Sequence, residues 1–377
     1  MEKRALIVTS VASMVAQFLI PNIVTLQELG YSVTVACNYD FGSSCSPEKV
    51  DALKKRLTGM DVKCVNILFP RSPFTVKLIS AYKELKKLVK LNKFDLVHCH
   101  TPAGAACTRL ACRELRKTGL KVIYTAHGFH FFKGAPIKNW LIYYPIEKLC
   151  SYWTDVLITI NKEDYSLAKR KMKAKRIEYI PGVGIDTNKF INTEVDRESK
   201  RHELGISNDN IMLLSVGELN DNKNHEVVIR ALAQISNTNI HYFIAGIGDK
   251  KEYLESLALE LNVNLHLLGY RTDIAELLKV SNIYVHPSFR EGLNVSIMEA
   301  MATALPCIVG NIRGNVDLID DNGGLLFDPH SINSCKNAIA SLIDKDLNDM
   351  GIYNQIKIKR FDIEAVNKQM NEIYARF

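Results

Sequence analysis

The sequence predicts an α/β protein made of two Rossmann-like domains facing one another across a cleft. Two observations carry this. Short β-branched runs alternate with helical stretches, and that alternation breaks once, near residue 180, into a Pro- and Gly-rich segment before a second series of similar length begins. A chain of 377 residues also suits two domains of ordinary size.

Ala5-Leu-Ile-Val-Thr is a short apolar run that reads as the first strand. Residues 10–13 are small and turn-like, 14–29 repeat apolar residues at helical spacing, and Gly30 stops the helix before a second strand at 31–37. No charge falls between Arg4 and Glu28, which is long enough to span a membrane, and Ala12-Ser13 imitates a signal-peptide cleavage region. Strand–helix–strand is the better reading, because the apolar run is short and a glycine ends the helix. Further strands are expected at 62–67, 96–99, 122–125 and 156–160, with helices at 75–91, 104–118 and 137–152. Tyr179-Ile-Pro-Gly-Val-Gly-Ile-Asp186 is the linker candidate. Strands then recur at 211–216, 241–245, 265–268, 283–286 and 307–309, each followed by a helical pattern. The domains are therefore set at 1–180 and 181–360, with a C-terminal helix at 361–377 packing back on the first. Ligands of such sheets bind at the carboxyl ends of the strands, so the site is expected between the domains.

The net charge of +7 is unevenly spread: residues 1–180 carry 29 basic and 14 acidic side chains, a net +15, and the remainder 19 and 27, a net −8. The basic half suggests an anionic partner, nucleic acid or an anionic membrane surface. Nucleic acid is the weaker choice, because no recognition module or aromatic platform is present. Lys83, Lys86, Lys87 and Lys90 cluster on the 75–91 helix beside an apolar stripe of Leu78, Tyr82, Leu85 and Val89, a pattern that suits anionic lipid or a solvated face on a core-packed helix.

The nine cysteines are odd in number and scattered without a Cys-x-x-Cys pair, which argues against a disulfide framework and for a reducing cytoplasm. His98-Cys99-His100 lacks a second cluster at ligand spacing and is not read as a metal site. No metal and no cofactor are expected.

The strongest constellation is Arg290-Glu291-Gly292-Leu293-Asn294-Val-Ser-Ile-Met-Glu299, which follows the strand ending at His286-Pro287. A helix starting near Asn294 would offer free N–H groups and its positive dipole end to a diphosphate. Eight helical residues rise about 12 Å, so Glu291 could hold sugar hydroxyls while Glu299 accepts bonds from a ribose.

A strand followed by Glu-x7-Glu on a loop and helix resembles the signature of the retaining family 4 glycosyltransferases, which have the GT-B fold. The likeness covers essentially the whole chain. Val97-His-Cys-His-Thr-Pro102, Thr125-Ala-His-Gly-Phe-His-Phe-Phe-Lys-Gly-Ala-Pro136 and Thr159-Ile-Asn-Lys-Glu-Asp164 are similar to the bacterial members that build exopolysaccharide and capsule repeat units. The resemblance implies transfer of a hexose or N-acetylhexosamine, with retention and without metal, from a nucleoside diphosphate sugar, UDP-linked, to a lipid-diphosphate-linked glycan. His127 matches the family histidine that reaches toward the donor sugar, and Lys223 the lysine that neutralises the diphosphate. Glu291, His127 and Lys223 are thus the catalytic candidates. Gly217, Arg271 near the base, the backbone of Gly292, Leu293 and Asn294, and Glu299 complete the donor site. Ser10 and Ser13, in the first loop, join His127 on the acceptor side. The implied setting is cytoplasmic, with peripheral association at the inner face of the membrane.

The chain departs from the family pattern at three places. Glu218 follows Val216-Gly217 where the family has Arg, so one phosphate-binding cation is missing. Ser10-Val-Ala-Ser13 lacks the usual Gly-Gly. Arg313-Gly-Asn-Val-Asp317 replaces Gly-Gly-x-Pro-Glu. Asp344-Lys-Asp346 has the form used by metal-dependent transferases but falls between C-terminal helices. The rival readings are a nucleotide-sugar epimerase of the same fold and, on the strength of Glu218, a catalytically degenerate partner subunit. A dinucleotide fingerprint at Gly246-Ile-Gly248-Asp249-Lys250-Lys251 fails because its third position is lysine.

Overall fold

The computed structural model describes residues 2–40, 45–70, 75–343 and 345–377. The chain divides into two units, Met1–Val183 with Val366–Phe377, and Gly184–Ala365.

The first unit is a seven-stranded parallel sheet. Its strands are β1 (Lys3–Val11), β2 (Tyr31–Asn38), β3 (Lys63–Asn66), β4 (Leu96–His100), β5 (Lys121–Ala126), β6 (Val156–Thr159) and β7 (Arg176–Tyr179), in the order β3-β2-β1-β4-β5-β6-β7. Ile7 lies opposite both Val35 and His98, so β1 is central. Alternate residues of β1 enter different cores, Ala5 and Ile7 on one face and Leu6 and Val8 on the other. Burial on both faces explains why the run reads as continuously apolar and imitates a membrane segment. No helix among the described residues is long and apolar enough to cross a membrane.

The second unit is a six-stranded parallel sheet of β8 (Ile211–Val216), β9 (Ile240–Ala245), β10 (Asn264–Gly269), β11 (Ile283–His286), β12 (Cys307–Gly310) and β13 (Gly324–Phe327), ordered β10-β9-β8-β11-β12-β13. Its faces also carry separate cores, with Met212 and Leu214 in one and Leu213 in the other. In each sheet the strand order reverses once, between β1 and β4 and between β8 and β11. Loops diverge there, opening a crevice at the carboxyl ends.

The expected elements differ from the observed ones where local sequence misleads. The first helix is broken into Ala12–Met14, a π turn at Val15–Leu19 and Ile20–Glu28. The wide turn precedes Pro21, which lacks the N–H that regular α bonding needs. The stretch expected as one helix at 104–118 is Pro102–Cys112 followed by a 3₁₀ turn at Leu115–Thr118, ended by Gly119 at φ +113°. Edge strands β7 and β13 escape sequence reading, since Arg176-Ile-Glu-Tyr is too polar and Gly324 opens the other. A Cβ on Gly324 would fall 1.9 Å from the Cys307 carbonyl oxygen, so glycine is what permits that strand to pair. The terminal helix Ile363–Tyr374 places Val366, Met370, Ile373 and Tyr374 in the same core as Ile7.

Candidate active site

At the β8/β11 crossing, Val216 ends its strand at Gly217, and the chain turns through Asn220 to Lys223. The Lys223 N–H is fixed by Asn220 Oδ1 at 3.0 Å. Gly217 clears the path of the lysine: a Cβ there would lie 3.2 Å from Lys223 Cε. The turn is backed by the segment at Gly246 and Gly248. Leu219 N–H donates to Ile247 O at 3.0 Å, Lys250 N–H donates to Leu219 O at 3.0 Å, and a Cβ on Gly246 would sit 1.8 Å from Gly217 O. Those glycines thus serve close backbone packing beneath the lysine turn, which accounts for Gly246-Ile-Gly248 without a dinucleotide.

Lys223 Nζ meets Glu291 Oε1 at 2.7 Å, and the same oxygen lies 3.0 Å from His286 Nε2. His286, at the end of β11, is buried, with Ser288 Oγ at 2.9 Å and Asn294 Nδ2 at 3.1 Å from Nε2. Burial works to raise the Glu291 carboxyl. The hydrogen bond and charge of His286 and the charge of Lys223 outweigh it and hold the group well below the usual carboxylate range. Burial in turn lowers His286, only partly offset by Glu291. The loop is braced from beneath: Arg313 Nε donates to Glu291 O at 3.2 Å, and Gly314, at φ +80°, has room for no Cβ because Gly292 O would lie 2.3 Å away. The departure at Arg313-Gly-Asn-Val-Asp317 is thereby a support for Glu291.

Asn294 caps the helix Val295–Ala302, its Oδ1 accepting from Ser296 N–H at 2.9 Å and Ile297 N–H at 3.3 Å. The helix starts where the sequence reading sets it, but two first-turn N–H groups are satisfied by the cap itself. The N–H groups of Asn294 and Val295 have no acceptor within the helix. Glu299 is half-buried, and burial raises its carboxyl to about 7 against a smaller opposing effect of Lys189. Arg271 is gripped by Asp273, with Nε to Oδ1 at 2.8 Å, and also pairs with Glu203 at 3.2 Å. Glu218 is exposed, its Oε2 accepting from Asn220 Nδ2 at 2.8 Å. Asp344 lies outside the described residues.

In the first unit, Ser10 and Thr101 meet at the β1/β4 crossing, Oγ to Oγ1 at 2.7 Å, with Ser10 N–H donating to Thr101 Oγ1 at 3.0 Å. Thr101 sits at φ +62°, an outlier for a β-branched residue. Ser13 is buried one turn on. His127 Nε2 is 3.1 Å from His100 Nδ1; the His100 ring lies against His98 with centroids 4.1 Å apart and planes tilted by 39°; and His98 is held between Tyr374 OH at 2.6 Å and Thr125 Oγ1 at 2.8 Å. Burial lowers His98 to about 3 and His127 to about 4, so the column is neutral. His98-Cys99-His100 is thus a packed histidine column with Cys99 turned to Ile123 O at 3.3 Å. Among the described residues no three His, Cys, Asp or Glu side chains are grouped to hold a metal. The loop bearing His127 is pinned by Asp164, which accepts from Phe129 N–H at 3.0 Å, while Asn161 caps the helix beginning at Lys162. The motif at 159–164 therefore acts by holding that loop.

Sequence reasoning misses His286 and Tyr374. The strand-ending His286-Pro287 is a usable signal for the first. Nothing local marks the second, which meets His98 from 276 positions away.

Residues 196–357 match the family model of glycosyl transferases group 1, and residues 8–161 that of glycosyl transferase 4-like proteins. The putative glycosyltransferase EpsD of Bacillus subtilis (strain 168) is 36% identical over 334 residues, 86% of this chain and 84% of its own. The UDP-Gal:alpha-D-GlcNAc-diphosphoundecaprenol alpha-1,3-galactosyltransferase of Escherichia coli is 33% identical over 285 residues, 72% of each chain. Among solved structures, Anabaena Alr3699/HepE in complex with UDP has the same fold, with a TM-score of 0.78 at 18% identity over the whole of both chains.

Proposed function

Since the chain belongs to the family 4 glycosyltransferases and has the GT-B fold, we propose that it moves a hexose or N-acetylhexosamine, with retention, from a UDP-linked donor to a lipid-diphosphate-linked glycan in exopolysaccharide or capsule synthesis. The observation that carries this is the Lys223–Glu291–His286 cluster at the mouth of the helix Val295–Ala302. The activity for which the Escherichia coli relative is named supports the choice of donor nucleotide and acceptor class.

Transfer breaks the bond between C1 of the sugar and the diphosphate oxygen, so positive charge grows on the ring and negative charge on the leaving group. Lys223 and the N–H groups ahead of the Asn294 cap are suited to the leaving diphosphate, standing in for the cation that Glu218 displaces. Glu291, kept ionised by its neighbours, orients the sugar hydroxyls and favours an oxocarbenium-like ring. Glu299 takes the ribose hydroxyls. His127, neutral and fixed by His100, offers a hydrogen bond to the sugar, and Ser10 one to the acceptor. The departing phosphate oxygen takes the proton of the acceptor hydroxyl while the acceptor oxygen bonds to C1 on the face the diphosphate leaves, so no protein nucleophile of the retaining-glycosidase kind is needed.

The test is a panel of nucleotide sugars, read by nucleotide release and thermal shift, with the anomeric configuration of the product read by NMR. A UDP-hexose or UDP-N-acetylhexosamine should bind and turn over. A panel in which none binds, or an inverted product, would overturn the reading; binding without release would instead indicate the degenerate subunit.

A further inference from the structure

The helix Ile137–Ser151 turns apolar side chains outward as well as inward. Ile137 is 77% exposed, Leu141 72% and Leu149 55%, with Ile142 and Ile146 beside them. Large apolar side chains grouped in solvent mark an interaction surface more often than ones scattered singly do. The helix Lys77–Asn92 adds Ile79, 57% exposed, and Val76, at its N-cap, is 81% exposed. Between the two runs a groove of about 620 Å³, floored by Ala106, Cys107 and Leu110 of the helix Pro102–Cys112.

Basic side chains predominate around this groove among the described residues, although Arg113 also pairs with the exposed Glu114 at 3.7 Å. Lys83, Lys87 and Lys90 continue the stripe of Val76 and Ile79 at three- and four-residue spacing. Lys86 lies over the Tyr82 ring at 5.8 Å and Arg113 over Trp153 at 5.9 Å, and both rings line the groove. The acid of the Ile137–Ser151 helix, Glu147, is withdrawn into a buried pair with Arg109 at 2.8 Å. Exposed apolar residues rimmed by long cationic side chains suit a boundary between hydrocarbon and phosphate.

We propose that this face docks on the surface of an anionic bilayer, the groove residues entering the acyl layer and the lysines meeting lipid phosphates. The proposal goes beyond sugar transfer and stands on the surface alone. It also gives the basic first half a physical partner. The helix that floors the groove is preceded by Thr101, which is bonded to Ser10, so docking would hold the proposed acceptor residues close to the membrane.

The full chain is floated with phosphatidylcholine vesicles and with phosphatidylcholine–phosphatidylglycerol vesicles. Binding should require the anionic lipid and weaken with salt. At about fivefold in partitioning per lysine, Lys83→Glu/Lys87→Glu should lower it by about twenty-five-fold or more, and Ile79→Asp/Leu141→Asp by about tenfold, both pairs keeping the wild-type thermal transition. These positions lie in solvent, so their folding is not at stake. Indifference of the wild type to anionic lipid, or wild-type flotation of both pairs, would overturn docking. So would a concentration-dependent dimer that Ile79→Asp/Leu141→Asp dissolves, which would give the face to a second copy. Nucleotide release in solution is measured alongside; its absence in the wild type counts against the transfer reading and leaves flotation to decide docking.

Discussion

Replacing Lys223 by methionine keeps the length of the side chain and removes its charge from 2.7 Å beside Glu291. Two unit charges at that distance attract by about 6 kcal/mol at an effective dielectric constant of about 20, before desolvation. Breaking a fully buried pair costs about 3–5 kcal/mol. Here the side chains are 18% and 15% exposed and His286 still serves the carboxylate, so about 2 kcal/mol is the expected loss. The folded Glu291 carboxyl titrates below its ordinary value of 4.5, so the stability it contributes is present above that value and is lost as pH falls through the depressed pKa. The gap between wild type and Lys223→Met should therefore be full at neutral pH and close only in strong acid. Glu291→Gln should behave similarly. The double variant Lys223→Met/Glu291→Gln should lose less than the sum, by about 1–3 kcal/mol, because neither charge is then left alone. On activity, loss of the phosphate cation should reduce transfer by about 10²–10³. The assays are denaturant unfolding across pH and nucleotide release. Additive stability losses, or transfer within about tenfold of wild type in Lys223→Met, would refute the reasoning.

Glu299→Gln tests the raised carboxyl. A pKa raised from 4.5 to about 7 contributes stability that is fully present below 4.5 and lost as pH rises through 7, so the glutamine variant should gain on wild type between pH 5 and pH 8 by at most about 3 kcal/mol, visible in thermal scans. Tyr374→Phe removes the hydroxyl 2.6 Å from buried His98 and should cost about 1–2 kcal/mol. If the histidine column positions His127, kcat should fall with KM for donor nearly unchanged, whereas a structural role alone would move only the melting temperature. Gly246→Ala would drive a Cβ into the Gly217 carbonyl and should leave little folded protein, checked by soluble yield and circular dichroism.

Much of the candidate donor site was legible because it is local. Glu291 and Glu299 share one loop and helix, Asn294 is a strong cap residue, and Lys223 follows a strand by a short turn, so spacing alone assembles them. Other parts were not legible. Arg271 reads as a residue near the nucleotide base, and the structure shows it gripped by Asp273 and Glu203. Ser13 reads as a loop residue, and the helical turn buries it. Glu218 reads as an acid in the place of a phosphate-binding cation, and it lies exposed, bonded to Asn220. Each outcome depends on which way a backbone segment turns, and spacing carries no such information.

Residue order suffices for the alternation of strands and helices, the single break near 180, the charge asymmetry and the helix entrance at Asn294, because periodicity, turn chemistry and capping act over a few residues. Tertiary structure alone decides that His286 and Lys223 share one carboxylate oxygen, that Tyr374 closes a column of histidines, and that the outer face of Ile137–Ser151 stays uncovered. Those facts arise from burial and through-space approach, in which the local dielectric and the partner at 3 Å set the chemistry, and sequence separation does not enter.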